Sequence, residues 1–329
     1  MLLDHFYSND KAKQTLVNFI TDGRFPHTLL LEGEDGCGKT AFAKMAAAGL
    51  LCQSASVSDR PCGKCRNCRL ILSDTHPDVV LAESENKANS FHVEKVREIR
   101  ADAYIRPNDG EYKVYILRNI HNMTEQAQNA LLKIIEEPPA QVVFIMTCNN
   151  RARVLPTILS RAAVLALQIC SEQQCIDALE QICKESSGEQ LAQAAQLAGG
   201  NIGKALDILQ DEKKLKLSCD AQRAAQTICT GQEFELLCCL QEYTSGKKRE
   251  DFLELMQGIR AYFVRLIHLK NGVVPQQEKE KVQIKNRFST LQAMQILDII
   301  DRAVLRALQN VSLNLAAAAF CAEIKTVLQ

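Results

Sequence analysis

Apolar residues in the first half of the chain fall into short unbroken runs: Thr28–Glu32, Asp78–Ala82, Lys113–Leu117, Val142–Thr147 and Ala163–Leu167. Between them lie segments in which apolar positions recur with helical spacing, at Lys39–Leu51, Val93–Ile105 and Glu125–Glu136. Continuous apolar strands alternating with helices predict a parallel sheet covered on both faces. Turn residues bracket the elements, from Gly33 to Gly38, at Pro107-Asn108-Asp109-Gly110 and at Pro138-Pro139. Pro138 also stops the preceding helix, because the residue before a proline avoids the helical region.

After about residue 168 the strand pattern ends. Residues 171–210 read as short helices broken at Gly199-Gly200, and residues 213–329 as longer ones. Leu291, Met294, Leu297, Val304, Leu305 and Leu308 recur at spacings of three, four and seven, which predicts one apolar face. The polar, lysine-rich stretches Thr244–Glu250 and Gln276–Lys285 read as loops. The organisation predicted is an α/β domain over 1–168, a small helical domain over 169–212 and a larger helical domain over 213–329.

Composition narrows the class. The 329 residues carry 39 Lys+Arg against 39 Asp+Glu, and 47% are hydrophobic. That balance describes a folded globular chain and argues against a basic surface gripping nucleic acid throughout. No apolar run approaches the ~20 residues needed to span a bilayer, so no membrane contact is expected. Met1-Leu2-Leu3-Asp4-His5 lacks the charged and apolar regions of a secretory signal. A cytoplasmic location follows as the expectation, and there the 14 cysteines read as thiols or metal ligands rather than disulfides.

Gly33-Glu34-Asp35-Gly36-Cys37-Gly38-Lys39-Thr40 matches G-x-x-x-x-G-K-[ST] in full, after one predicted strand and opening a helix. Glycines here let Gly33, Gly36, Cys37 and Gly38 turn backbone N–H groups toward phosphate oxygens, and the helix start adds donors and a favourable dipole. Lys39 would neutralise the β- and γ-phosphates of ATP or the β-phosphate of ADP, and the Thr40 hydroxyl would ligate Mg2+. Cys37, inside the loop, reads either as an oxidation-sensitive thiol or as a tolerated variable position. Hydrolysis needs carboxylates at the end of a neighbouring strand. Lys113–Leu117 runs instead into Arg118-Asn119-Ile120-His121. Either this chain turns over no ATP, or Asp35 or another carboxylate substitutes. Asn149 and Asn150 follow the fourth strand, as a polar sensor of phosphate or as caps of the next helix.

Cys52, Cys62, Cys65 and Cys68 are spaced C-x9-C-x2-C-x2-C, a module of about 52–76. Four thiolates complete a tetrahedral zinc shell with no position left for water, hence a structural site. An iron–sulfur site, likewise thiolate-rich, or a redox pair is the alternative. Arg60, Lys64, Arg66 and Arg69 around it are either a solvated rim or contacts for nucleic-acid phosphates.

Together these residues resemble the clamp-loader AAA+ family, over nearly the whole chain. The cysteines follow the phosphate-loop helix as they do in bacterial clamp-loader subunits. Thr124–Pro139, reading TEQAQNALLKIIEEPP, looks like the family's N-A-L-L-K-x-x-E-E-P-P helix. Leu155-Pro156-Thr157-Ile158-Leu159-Ser160-Arg161-Ala162 resembles its S-R-C segment, with Ala162 in place of Cys. The resemblance implies an AAA+ P-loop domain with a five-stranded parallel sheet and inserted zinc module, a helical lid and a C-terminal helical collar. It implies that Arg161 acts as an arginine finger on ATP held by the next subunit; by itself Arg161 reads as a surface ion-pairing residue.

Within that family, motor subunits of the gamma/tau kind keep D-E-x-H after the third strand and an arginine in the lid. Here those positions read Arg118-Asn119-Ile120-His121 and, in Gly200–Leu206, Gly203. Both departures resemble the delta-prime kind, a stator that completes the ring. The resemblance implies a subunit of the DNA polymerase III clamp loader in a hetero-oligomeric ring with gamma/tau and delta. Through that ring it meets the sliding clamp and primed DNA during replication. No polymerase active site is visible in this chain. An active motor-like ATPase, motivated by the intact loop, is the alternative reading.

Overall fold

The computed structural model describes residues 2–82, 93–184, 186–244, 249–270, 289–309 and 311–328. The chain divides into two compact units. The first comprises Met1–Ser186 with Gly200–Lys204, and the second Ser187–Gly199 with Ala205–Gln329.

In the first unit, α1 (Asp10–Thr21) precedes β1 (Thr28–Glu32), α2 (Lys39–Leu51), α3 (Arg66–Leu72), β2 (Val79–Ala82) and α4 (Val93–Ala103). Then come β3 (Lys113–Leu117), α5 (Glu125–Glu136), β4 (Val142–Cys148), α6 (Pro156–Leu159), β5 (Ala163–Ala166) and α7 (Glu172–Ile182). The five strands form one parallel sheet in the order β2-β3-β4-β1-β5. Side chains alternate between its faces, as strand pleating requires. Leu29, Leu31, Val114, Ile116, Val143 and Ile145 share a core with Leu16 of α1, Phe42 and Ala46 of α2, and Ile71 of α3. Leu30, Tyr115, Phe144 and Met146 pack with Val96 and Ile99 of α4, Leu131 and Ile134 of α5, and Ile158 of α6. Burial on both faces explains why the strands read as unbroken apolar runs.

Three helices escaped the periodicity, one of them the four-residue α6. α1 buries Ala12 and Leu16 fully and packs Val17, Phe19 and Ile20 partly buried against the core. α3 is a seven-residue helix inside the cysteine insert, too short for a periodic signal. The strand predicted from Asp78 begins at Val79, although the Asp78 carbonyl still accepts Val114 N–H (2.8 Å), and the Asp78 carboxylate is taken up by the turn before β3. It accepts N–H bonds from Asn108 (2.5 Å), Asp109 (2.7 Å) and Gly110 (3.0 Å). Burial alone would push its pKa up, but these donors hold it below the ordinary carboxylate value.

The second unit is helical: α8 (Gly188–Leu197), most of α9 (Ile202–Gln210), α10 (Glu212–Thr230), α11 (Glu233–Gln241), α12 (Arg249–Lys270), α13 (Thr290–Leu308) and α14 (Leu313–Leu328). Phe252, Met256, Ile259 and Phe263 of α12 meet Ile296 and Ile300 of α13 and Phe320 of α14 in its core. Of the stretch Thr244–Glu250 read as a loop, Arg249 and Glu250 belong to α12 and residues 245–248 lie outside the described residues, as does 276–285. The apolar face predicted on α13 meets the core only in part, through Leu297 and Val304. Leu291, Met294, Leu305 and Leu308 are exposed, whereas Ala293, Ile296, Ile299, Ile300, Ala303 and Ala307 are buried. α13 is apolar around most of its girth, and the face with the alanines lets α12 and α14 approach more closely. No described helix is long and apolar enough to cross a membrane.

Candidate functional site

The phosphate loop joins β1 to α2 at the end of the sheet. Gly36 and Gly38 have left-handed backbones, φ 86° and 91°, which glycine adopts without steric cost. α2 opens at Gly38 with no side-chain cap, so its first N–H groups meet no capping oxygen. Lys39 is buried at 6% exposure. Its ammonium donates to Gly33 O (2.6 Å), Glu34 O (2.8 Å) and Asn149 Oδ1 (2.9 Å), with the Asp35 carboxylate at 3.5 Å. A buried cation held mainly by neutral dipoles, beside an uncapped helix start, fits an anionic phosphate. Thr40 lies half-buried in the first turn of α2. Cys37 is 8% exposed, and burial pushes its thiol pKa up. That is the environment of a small buried hydrophobe, not of a reactive thiolate.

β4 and the turn after β3 supply the neighbours of Lys39. The two asparagines after β4 part company. Asn149 donates from Nδ2 to Asp35 Oδ2 (2.6 Å) and from its backbone N–H to His121 Nδ1 (3.3 Å), while Asn150 caps the next turn by accepting from Ala152 N–H (2.8 Å). Asn149 therefore touches the phosphate loop and Asn150 does not. His121 is buried and burial lowers its pKa, with Asp35 opposing and Arg153 and Lys39 adding to the shift. The bond from Asn149 N–H leaves the ring proton on Nε2. At the end of β3 the places for a cation's carboxylates hold Arg118 and Asn119. Asn119 has a left-handed backbone (φ 56°) and donates its N–H to Thr147 Oγ1 at 2.9 Å. This donor set does not fit Mg2+, which takes oxygen ligands and one or two carboxylates.

Gly200–Lys204 returns to the loop. Asn201, 1% exposed, donates from Nδ2 to Asp35 O (2.7 Å) and accepts Lys204 N–H on Oδ1 (3.1 Å), so one side chain caps α9 and grips the loop. Gly203 N–H donates to Gly36 O at 3.0 Å. A Cβ at 203 would come within 2.5 Å of Gly36 Cα, so no larger side chain fits there without displacing the loop. Asn201 was missed in the sequence, although an asparagine just before a helical stretch is a cap signal.

The four cysteines converge. Cys52 ends α2, Cys62 and Cys65 flank a tight turn, and Cys68 lies in the first turn of α3. Their sulfurs all lie within 4.8 Å of one another, with Cys52–Cys65 and Cys62–Cys68 each at 4.0 Å. Four thiolates about 2.3 Å from one ion would stand at comparable separations. Cys65 N–H donates to Cys62 Sγ (3.3 Å) and Cys68 N–H to Cys65 Sγ (3.4 Å). Burial raises both thiols, but N–H bonds and neighbouring thiols outweigh it, lowering Cys65 and bringing Cys62 down to about 6. The cluster fits a metal ion. Among the rim cations, Arg60 folds back onto Ser54 O (2.8 Å) and Arg66 pairs with Asp109 (2.8 Å), while Lys64 and Arg69 are exposed.

Arg161 follows α6 and is 41% exposed. Its Nη1 donates to Thr157 O (3.0 Å) and Ser160 Oγ (3.1 Å), and Nη2 lies 3.1 Å from Glu136 Oε1.

Residues 8–171 match the family model described as "DNA polymerase III, delta subunit". The delta' subunit of DNA polymerase III from Escherichia coli is 31% identical over 227 residues, 69% of this chain and 67% of that protein. The chain belongs to the clamp-loader subunit family of DNA polymerase III. The gamma subunit from Buchnera aphidicola is 34% identical over 197 residues, 59% of this chain and 54% of that protein. The chain thus spans about half the length of that relative, and a third of the Escherichia coli tau subunit. In structure, a gamma subunit-related protein from Thermotoga maritima matches 96% of this chain and 99% of its own, with TM-score 0.50 and 16% identity. That likeness speaks to fold alone.

As a clamp-loader family member the chain has the AAA+ arrangement: the phosphate loop follows β1, which lies between β4 and β5, with an inserted four-cysteine module and a C-terminal helical bundle. Relatives named gamma or tau and one named delta' both match, so kinship alone does not separate the two kinds of subunit.

Proposed function

We propose that this chain is a delta-prime-like subunit of the DNA polymerase III clamp loader. In this reading it turns over no ATP itself and supplies Arg161 to a neighbouring gamma/tau motor. The observation that carries the reading is the end of β3, where Arg118 and Asn119 stand in the place of carboxylates beside an otherwise complete phosphate loop. Gly203 supports it, since an arginine there would collide with Gly36. Arg161, part-exposed next to β5, would in this reading meet a phosphoryl group outside its own subunit. An arginine supplied in trans stabilises charge developing on the transferred phosphoryl.

Gly33, Gly36, Cys37, Gly38, Lys39 and Thr40 would hold the phosphates of ATP or ADP through N–H groups and the ammonium. Cys52, Cys62, Cys65 and Cys68 would hold zinc as a staple of the insert. Bound zinc at one ion per chain, lost in Cys62→Ser/Cys65→Ser, is the expected result of metal analysis. The exposed Leu291, Met294, Leu305 and Leu308 favour a collar role for the helical unit within a cytoplasmic ring of gamma/tau and delta subunits. That ring would act on the sliding clamp and primed DNA.

The test is ATP binding and hydrolysis by the purified chain, alone and with the motor subunit. Binding without turnover, and acceleration of the partner through Arg161, are the expected results. The intact loop favours one second reading, an active motor-like ATPase. Turnover by the chain alone that Lys39→Ala abolishes would establish that reading instead.

A further inference from the structure

We infer that Glu136 is a positioning residue for Arg161, holding its guanidinium in one orientation before a neighbour's phosphoryl group arrives. The inference rests on the role of Arg161 given above. Glu136 is the last residue of α5, where Glu137 and Pro138 follow. Carboxylates at a helix C-terminus face the negative end of the helix dipole and are locally disfavoured. Arg161 offsets that cost through the 3.1 Å contact between Nη2 and Glu136 Oε1.

The guanidinium is thereby held from two elements. Its own element holds Nη1 through Thr157 O and Ser160 Oγ, and the Ser160 hydroxyl in turn donates to Thr157 O at 3.0 Å. Glu136 holds Nη2 from α5. Both anchors stand on one core: Ile158 beneath Arg161 and Leu131 and Ile134 beneath Glu136 are fully buried together. A free arginine carries about 2 kcal/mol of rotamer entropy, and ordering it beforehand reduces what must be lost when it meets its target. An ion pair this exposed contributes little to folding, so its consequence is orientation rather than stability.

The experiment compares wild type, Glu136→Gln, Arg161→Ala and the double variant in the assembled clamp loader, with sliding clamp, primed DNA and ATP. Glu136→Gln is expected to lower kcat about three- to fivefold, the size of an exposed ion-pair coupling. KM for ATP and the melting temperature of the chain should stay unchanged. In the Arg161→Ala background the same substitution should change nothing further, because a contact already removed cannot be lost twice. An unchanged or raised kcat for Glu136→Gln, with Arg161→Ala still strongly impaired, overturns the positioning role and leaves the finger standing. The same loss in both backgrounds also overturns it. An Arg161→Ala complex that assembles and hydrolyses at the wild-type rate overturns both.

Discussion

Lys39 is 6% exposed and its ammonium is held by oxygens of its own loop and of Asn149, whereas Arg161 is 41% exposed and gripped only along part of its guanidinium. The two cations belong to one domain. The first is turned inward, on a loop whose uncapped helix start suits an anion bound by this chain. The second is turned outward, in the turn between the short helix α6 and β5. Retaining a phosphate and helping to break its bond are separable tasks, and in the proposed reading this chain would carry parts for each at different places. Directly after β3 stand Arg118 and Asn119 rather than a carboxylate pair, and in the proposed reading that separates the two tasks.

The largest effect should come at the outward cation. Arg161→Ala is expected to reduce ATP hydrolysis by the assembled complex about 10³-fold or more, the range measured for arginine fingers, while ATP binding by the isolated chain is unchanged. Steady-state hydrolysis and equilibrium binding on the same preparations check both halves. Lys39→Ala should do the reverse. Loss of a charge-assisted contact of about 1.5–3 kcal/mol weakens nucleotide binding by the chain about 10- to 100-fold, read by titration with a fluorescent ATP analogue. The complex should keep most of its hydrolysis. If both substitutions moved both quantities alike, the division between the cations would be broken.

Smaller effects sharpen it. Asn201→Ala removes the cap of α9 and the bond to Asp35 O together. A loss of about 1 kcal/mol in stability is expected from the cap, measured as a lower denaturant midpoint at constant slope. His121 adds a pH dependence confined to the inward site. Burial depresses its folded pKa, so its contribution is fully present above the unfolded value of about 6.5. It is lost as pH falls through the lower folded value. Acidification through that window should loosen Asn149 and weaken nucleotide binding, while His121→Gln flattens the profile. The described contacts of Arg161 are Thr157 O, Ser160 Oγ and Glu136 and do not include His121, so finger-dependent acceleration should not follow the same curve.

Much of this was legible in the chain because the chemistry is local. The glycine-rich loop, the four cysteines and the unbroken strand runs each lie within a few residues, and the structure gathers each where its spacing suggests. The α13 face was not legible, since a helix apolar on both sides does not say which side its neighbours take. Ile296 and Ile300 are buried while Leu305 and Leu308 are exposed, and only the packing of α12 and α14 decides between them. Asn201 and Glu136 were hidden for a related reason. Their partners, Asp35 and Arg161, lie far away in sequence, and no periodicity records a contact across that distance.

ATP turnover by the purified chain, set beside turnover by the ring that contains it, addresses the central claim most directly. The expected result is no hydrolysis above background by the chain alone, although it binds nucleotide, and hydrolysis by the ring that collapses with Arg161→Ala. Robust turnover by the chain alone, abolished by Lys39→Ala, would contradict the account and place a working set of ligands beside Arg118 and Asn119.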